Sequence, residues 1–171
     1  ERHTNLFPSA VAIDEGKLIV GERAKNLYTA KPENVALEVK RLMGTDEKIT
    51  IGEKKYTPQI VSAMILNELK RVAENFIGDE ITEAVITVPA RFKDLARHAT
   101  KDAGKIAGLD VYRILPEPTA AALAFGFTNK EEKHLLVYDF GGGTFDVSVV
   151  EIFDGVIDVK SNAGDELLGG K

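Results

Sequence analysis

An aspartate, three consecutive glycines and a threonine lie close together and could do chemistry: Asp139, Gly141, Gly142, Gly143 and Thr144. Glycine accepts left-handed backbone angles without a Cβ clash, so a turn of glycines can aim several N–H groups at one anion such as phosphate. Carboxylate and hydroxyl oxygens are the ligands that Mg²⁺ prefers. The pattern is typical of a magnesium–phosphate site, and equally of a β-hairpin turn that binds nothing.

Two common nucleotide-binding motifs are excluded at this turn. The glycine spacing is not that of the dinucleotide fingerprint, and a strand follows where that motif requires a helix. No Gly-Lys-Ser or Gly-Lys-Thr closes the turn, so it is not a Walker A loop.

The elements around the turn are predicted from apolar periodicity. Strands over 134–139, 145–153 and 156–162 are joined by short turns, which favours antiparallel pairing. Upstream, an alternation of strands and helices from 83 to 139 predicts an α/β sheet with covered faces. Ligands collect at the carboxyl ends of strands in such sheets, where Asp139 lies and where Glu117 follows the strand over 111–115.

The remaining elements follow from capping and turn residues. A helix is predicted to be capped by Thr57, with Pro58 in its first turn and Gly78 after its end. Further strands are predicted over 8–13, 17–21 and 83–88, a hairpin over 48–56, and helices over 22–29, 33–43, 91–107 and 118–125.

Composition excludes several classes of function. The 171-residue chain carries 22 basic and 27 acidic residues, a net charge of −5, which argues against binding to nucleic acid or to an anionic membrane. No apolar run is long enough to span a bilayer, and the N-terminus is not a signal peptide. Without cysteine there is no disulfide or thiolate metal site, which is consistent with a cytoplasmic protein.

Three further stretches, taken with the glycine turn, resemble one protein family. They are AVITVPA from Ala84, ATKDAGKIAGL from Ala99 and EPTAAALAFG from Glu117. Together they closely resemble the nucleotide-binding domain of the seventy-kilodalton heat-shock chaperones. The resemblance covers essentially the whole chain, and the short segment between Met43 and Thr57 is similar to the Gram-positive form of the bacterial DnaK branch.

The resemblance implies an α/β fold of the actin-like, ribonuclease-H-like ATPase type, with ATP bound between two lobes. The chain would be a partial nucleotide-binding domain: residues 1–82 the outer part of lobe I, 83–133 its inner part, and 134–171 the start of lobe II with its first hairpin. The family's first phosphate-binding hairpin and its adenine-binding part would lie outside this sequence.

The resemblance also implies roles for the glycine turn. Asp139 matches the family aspartate near magnesium and its water shell. Gly141, Gly142 and Gly143 match the second phosphate loop, and Thr144 matches a residue near the γ-phosphate. Asp146, at the other end of the turn, is expected to support the loop instead of contacting the metal.

Two more site residues are implied outside the turn. Glu117 matches a catalytic glutamate that holds magnesium-bound water or orients the attacking water. Lys40 matches a lysine that reaches the γ-phosphate. Two positions depart from the family pattern: Arg91 stands where a tyrosine is usual, and Pro116 replaces an asparagine beside the cochaperone face.

The resemblance implies a molecular chaperone ATPase of the heat-shock and stress response, which hydrolyses Mg-ATP to drive client binding and release in protein folding. Its cofactors would be ATP or ADP and Mg²⁺, and its partners unfolded clients, a J-domain cochaperone and a nucleotide-exchange factor. The alternatives are an actin-fold small-molecule kinase or a non-catalytic piece that self-associates. We expect this chain alone to lack full activity and to form a homodimer.

Overall fold

The computed structural model describes residues 6–126, 132–165 and 168–169. They divide into two compact units. The first contains the described residues up to Ala84 together with Asp94–Tyr112, and the second contains Val85–Lys93 and the described residues from Arg113 onwards. Helices and strands mix in one chain, so the predicted α/β class is confirmed.

Ten strands and four α-helices are present in the described ranges. The strands are β1 (Ala10–Asp14), β2 (Lys17–Val20), β3 (Val35–Leu37), β4 (Ile49–Ile51), β5 (Lys54–Tyr56), β6 (Glu83–Val88), β7 (Asp110–Pro116), β8 (Lys133–Phe140), β9 (Phe145–Phe153) and β10 (Val156–Asp165). The helices are α1 (Glu22–Leu27), α2 (Pro58–Ile77), α3 (Asp94–Ile106) and α4 (Glu117–Gly126), with short 3₁₀ helices at Pro32–Asn34 and Val39–Leu42.

Strand β1 is the centre of the first unit. The antiparallel sheet has the order β2-β1-β3, and side chains on successive β1 residues point to opposite faces. On one face Val11 packs in a buried cluster with Ile51 and Val61. On the other face Ala12 packs with Ala24 of α1. Helices and the β4–β5 hairpin therefore bury both faces of a small sheet.

Helix α2 has the predicted cap and end. The Thr57 hydroxyl accepts a hydrogen bond from Ile60 N at 3.3 Å, and Gly78 ends the helix with a φ of 79°. Val61 in the first turns of α2 is buried, whereas Phe76 near the C-terminus of the helix is 91% exposed. No helix in the described ranges, α2 included, is long and apolar enough to cross a membrane.

The predicted helix over 33–43 is wrong. Val35–Leu37 forms β3, paired with Ala10–Ala12 of β1, and the helical parts are two short 3₁₀ turns, Pro32–Asn34 and Val39–Leu42. Glu38 between them has a left-handed φ of 55°. Burial of β3 against a distant strand outweighs the local helical preference of this segment.

The predicted helix over 91–107 begins too early. Phe92 N donates to Pro89 O at 3.1 Å, which closes a turn, and α3 starts only at Asp94. An acidic residue in the first turn is favoured by the helix dipole, which suits a start at Asp94. The turn leaves Arg91 outside the helix.

The second unit is built on an antiparallel meander with the order β10-β9-β8, as the short connections predict. Helix α4 packs against all three strands. Ala122 of α4 and Val150 of β9 are buried. β6 pairs with β7 as a separate two-stranded sheet, so the prediction of one α/β sheet over 83–139 is wrong for β8, which pairs with β9 instead. Short hairpin turns keep β8 with β9 and β10.

An ion pair closes the end of the meander distant from the glycine turn. Lys160 Nζ lies 2.7 Å from Glu151 Oε2, and His134 Nε2 lies 3.0 Å from Glu151 Oε1. The hydrogen bond from Lys160 lowers the pKa of the Glu151 carboxyl. The pKa of Glu151 is therefore lower in the folded state than in the unfolded chain. For this reason the ion pair stabilises the fold at neutral pH, and the stabilisation is lost as the pH falls through the pKa of Glu151. Because Lys160 and His134 are exposed to solvent, the contribution of these contacts to the free energy of unfolding is small.

Replacing Glu15 with asparagine is expected to stabilise the first unit. Glu15 has a φ of 49° and precedes Gly16 at 76°, a two-residue turn that favours Asn-Gly. Asparagine tolerates the left-handed conformation better than glutamate, so we expect a gain of about 0.5–1 kcal/mol in the free energy of unfolding. Urea denaturation measures it.

Glu53→Asn is the matched control for Glu15→Asn. Glu53 also lies in a hairpin turn, after Gly52, but its φ is not positive. Equal stabilisation by both variants would contradict the conformational explanation.

Candidate functional site

The glycine turn connects β8 to β9 and closes a regular hairpin. Gly141 N donates to Thr144 O at 3.1 Å. Asp139 pairs directly with Asp146 across the two strands. The predicted hairpin is confirmed, and it places a carboxylate on each strand at the base of the turn.

The first two glycines of the turn do not adopt the expected left-handed angles. Neither Gly141 nor Gly142 has a φ in that region. A Cβ atom on Gly142 would have no neighbour within 4 Å, and one on Gly141 would lie 3.8 Å from Thr144 O. Neither backbone strain nor packing within the described chain therefore requires glycine at these positions. The open space beside them suits a ligand that approaches the backbone amides closely.

Gly169 packs against the turn from a segment that follows β10. A Cβ atom on Gly169 would lie 2.5 Å from the carbonyl carbon of Gly142 and 2.6 Å from the nitrogen of Gly143. Real Cβ atoms do not come so close, so the two backbones touch directly. Sequence reasoning missed this contact, although the Gly-Gly pair at 169–170 is a weak signal of close backbone approach.

Asp146 is buried and held by an arginine. Arg91 Nε donates to Asp146 Oδ1 at 2.9 Å, and Arg91 Nη1 donates to Gly164 O at 3.0 Å. Asp146 is only 6% exposed. This ion pair supports the expectation that Asp146 has a structural role. In the sequence Arg91 stands out only as a departure from the family pattern, and no local signal indicates its partner Asp146.

Asp139 and Thr144 are more accessible than Asp146. Asp139 is exposed and Thr144 is half-buried. Residues directly opposite each other in an antiparallel pair point to the same face, so Asp139 shares a face with Asp146. The opposite face carries an aromatic contact between Tyr138 and Phe145, with ring centroids 5.0 Å apart. At the base of the turn, the two carboxylates therefore lie on one face of the hairpin and the two aromatic rings on the other.

Glu117 is the first residue of α4 and follows β7 directly. A negative side chain at this position is favoured by the helix dipole. Helix α4 packs on the same three-stranded sheet that carries Asp139, so both carboxylates belong to the second unit.

Lys40 lies in the first unit, on the 3₁₀ turn that replaces the predicted helix. Its side chain is exposed, while Val39 and Met43 on either side are buried. Gly44 has a φ of 82°, and a Cβ there would lie 2.6 Å from Ala96 N in α3. The lysine is therefore carried by a backbone turn that is anchored on both sides.

The candidate residues fit a magnesium ion held mainly by water and phosphate. Within residues 6–126, 132–165 and 168–169, no three His, Cys, Asp or Glu side chains are grouped to bind a metal. The exposed carboxylate of Asp139 and the hydroxyl of Thr144 are hard oxygen donors beside the turn. Mg²⁺ usually keeps several waters and takes only one or two carboxylates, which matches this donor set.

Alanine substitutions at two glycines are expected to affect stability differently. Gly142→Ala should change the free energy of unfolding by less than about 0.5 kcal/mol, because its Cβ would contact nothing. Gly169→Ala should cost about 2 kcal/mol, because the new Cβ would overlap the backbone of the turn. Denaturant unfolding of the two variants tests this. Equal losses would show that the close contact with Gly169 is not formed.

Comparison with known proteins agrees with these motifs. A family model described as "Hsp70 protein" matches residues 1–171, the whole of the sequence. Hsp70 proteins are chaperones with an ATPase domain that uses ATP, ADP and Mg²⁺. By this match the chain belongs to the Hsp70 family.

Proposed function

We propose that this chain is part of an Hsp70 ATPase domain of the bacterial DnaK branch, with the actin-like fold of that domain. In the complete domain it would bind Mg-ATP and hydrolyse it in the cytoplasm to drive client binding and release. The observation that carries the proposal is the turn of Gly141–Thr144, which has open space beside Gly142 and an exposed carboxylate at Asp139.

The turn is the proposed phosphate-binding element. Backbone N–H groups of the glycines and the Thr144 hydroxyl would donate hydrogen bonds to phosphate oxygens. Gly169 occupies one side of the turn, so the phosphate would approach from the side where Gly142 has no neighbour. A side chain larger than hydrogen at Gly142 would keep the phosphate away from the amides.

Asp139 and Glu117 are the proposed carboxylates of the magnesium site, each acting through bound water. Mg²⁺, when bound, would neutralise negative charge on the phosphates. Asp139 projects from the end of β8 on the same hairpin as the turn. Glu117, at the start of α4, would in addition orient the water that attacks the γ-phosphate.

Lys40 is the proposed cation for the γ-phosphate. Its ammonium group would offset charge that develops on the transferred phosphoryl group. The anchored 3₁₀ turn would limit the loss of entropy when the lysine is positioned. No covalent intermediate is needed, because positioning and electrostatics supply the catalysis.

In the working chaperone, the partners would be unfolded clients, a J-domain cochaperone and a nucleotide-exchange factor. The described residues supply one glycine-rich hairpin at the phosphates. A triphosphate with magnesium needs more donors than this hairpin provides, so we propose that the 171-residue chain alone has little ATPase activity.

Substitutions that remove two charges and one hydroxyl are expected to separate binding from catalysis in a complete ATPase domain that contains this chain. Lys40→Ala should lower the single-turnover rate about 10²-fold or more, because it removes the charge opposite the γ-phosphate. Asp139→Asn should weaken Mg-ATP binding about tenfold, because it removes one negative charge near the magnesium ion. Thr144→Ala should lower the rate about tenfold, because it removes one hydrogen bond to the phosphate. Rapid-quench hydrolysis and calorimetry measure these effects.

Two matched variants control for general effects of charge. Lys25→Ala removes an exposed helical lysine in α1, and Asp154→Asn changes the other turn of the same meander. Both should retain wild-type binding and rate. An undiminished rate in Lys40→Ala together with undiminished Mg-ATP binding in Asp139→Asn would contradict the proposed site.

We also propose that the isolated chain self-associates through the outer face of the meander. Leu136 is 69% exposed, Tyr138 66% and Phe140 50%, and the three alternate along one face of β8. An exposed apolar face of this kind favours association in water.

Leu136→Lys is expected to weaken self-association without unfolding the chain, because the side chain is already largely exposed. Leu18→Lys, which changes a half-exposed leucine of β2, should leave association unchanged. Light scattering across a range of concentrations measures the mass. A wild-type chain that is monomeric throughout would contradict the proposal.

A further inference from the structure

We propose that Arg91 is a positioning residue of the ATPase site, which divides the roles of the two aspartates on the glycine hairpin. By neutralising Asp146, it leaves Asp139 as the one uncompensated carboxylate of the pair facing the magnesium site. The inference rests on the proposed function.

The two aspartates belong to a row that crosses all three strands of the meander. Asp139 of β8 pairs with Asp146 of β9, and Asp146 pairs with Gly164 of β10. Paired residues in antiparallel strands share a face, and their Cβ atoms lie about 5 Å apart. The row therefore places two carboxylates side by side on one face, next to a position without a side chain.

Two adjacent carboxylates on neighbouring strands repel each other. Because Asp146 is 6% exposed, water screens its charge poorly. The Arg91 guanidinium, 2.9 Å from Asp146 Oδ1, supplies the compensating charge. The Arg91–Asp146 pair is thus neutral overall, so no uncompensated carboxylate of Asp146 lies beside Asp139.

The geometry of Arg91 also fixes the hairpin base. Its Nε bonds to Asp146 on β9 while its Nη1 bonds to the Gly164 carbonyl on β10, so one planar group joins two strands. Gly164 makes room for this arrangement, since a Cβ there would lie 3.1 Å from Asp146 Oδ1 and 3.0 Å from Asp146 Cα. The arginine, the aspartate and the glycine therefore form one interlocked contact.

This arrangement has a consequence for Mg-ATP. Without Arg91, the unpaired charge of Asp146 would add to that of Asp139 and repel the nucleotide phosphates, which also carry negative charge. Removing Arg91 would also leave the buried carboxylate of Asp146 without its partner. Arg91 would thus act on nucleotide binding through Asp146, without touching the nucleotide.

Charge removal in pairs tests the inference, using the complete ATPase domain and Mg-ATP as the ligand. Arg91→Met should weaken Mg-ATP binding about tenfold and raise the Mg²⁺ concentration for half-maximal hydrolysis. Adding Asp146→Asn to Arg91→Met restores local neutrality and should bring the affinity back to within about threefold of wild type. Calorimetry and a Mg²⁺ titration of the rate measure these effects, with thermal unfolding recorded for each variant.

A purely structural role for Arg91 predicts a different pattern. The double variant would then bind no better than Arg91→Met, and the Mg²⁺ dependence would not move; either result overturns the proposal. If Arg91→Met does not fold, Asp146→Asn alone decides. We expect Asp146→Asn to bind within about threefold of wild type, and a loss as large as that of Asp139→Asn would mean that Asp146 itself serves the metal.

Asp139→Asn separates this inference from the proposed function. If Asp139→Asn leaves both binding and hydrolysis unchanged, the proposed ATPase site fails. If Asp139→Asn impairs binding but Arg91→Met does not, only the role of Arg91 fails.

Discussion

The antiparallel register between β8 and β9 is the constraint on which the rest of the candidate site depends. It pairs Asp139 with Asp146 and confines the connection to Gly141–Thr144. A slip of one residue would move every side chain of one strand to the opposite face. Asp139 and Asp146 would then no longer share a face at the base of the turn.

Elements defined by local signals were predictable from the sequence. The Thr57 cap and the glycine at the end of α2 are local features, and the glycine hairpin is flanked by runs typical of strands. Strand β3 was not predictable in this way, because its three residues form a strand only by pairing with the distant residues Ala10–Ala12. Lys40 was consequently assigned to a helix, whereas it lies on a 3₁₀ turn.

The same distinction applies to the candidate site. Residue types and family resemblance were enough to select Asp139, the glycines and Thr144. The contact of Arg91 with Asp146 joins residues 55 positions apart, and a family pattern with tyrosine at position 91 does not contain it. The packing of Gly169 on Gly142 is equally non-local. Such contacts depend on how distant backbones meet, which periodicity does not encode.

The packing of Gly44 on α3 has a mechanical consequence. Side chains normally separate neighbouring segments, and their rotamer changes can absorb small displacements. At Gly44, in the loop after Lys40, no side chain separates the loop from the backbone of Ala96. A Cβ atom on Gly44 would lie 2.6 Å from the amide nitrogen of Ala96. A shift of the first turn of α3 towards this loop is therefore transmitted almost undamped to the segment that carries Lys40.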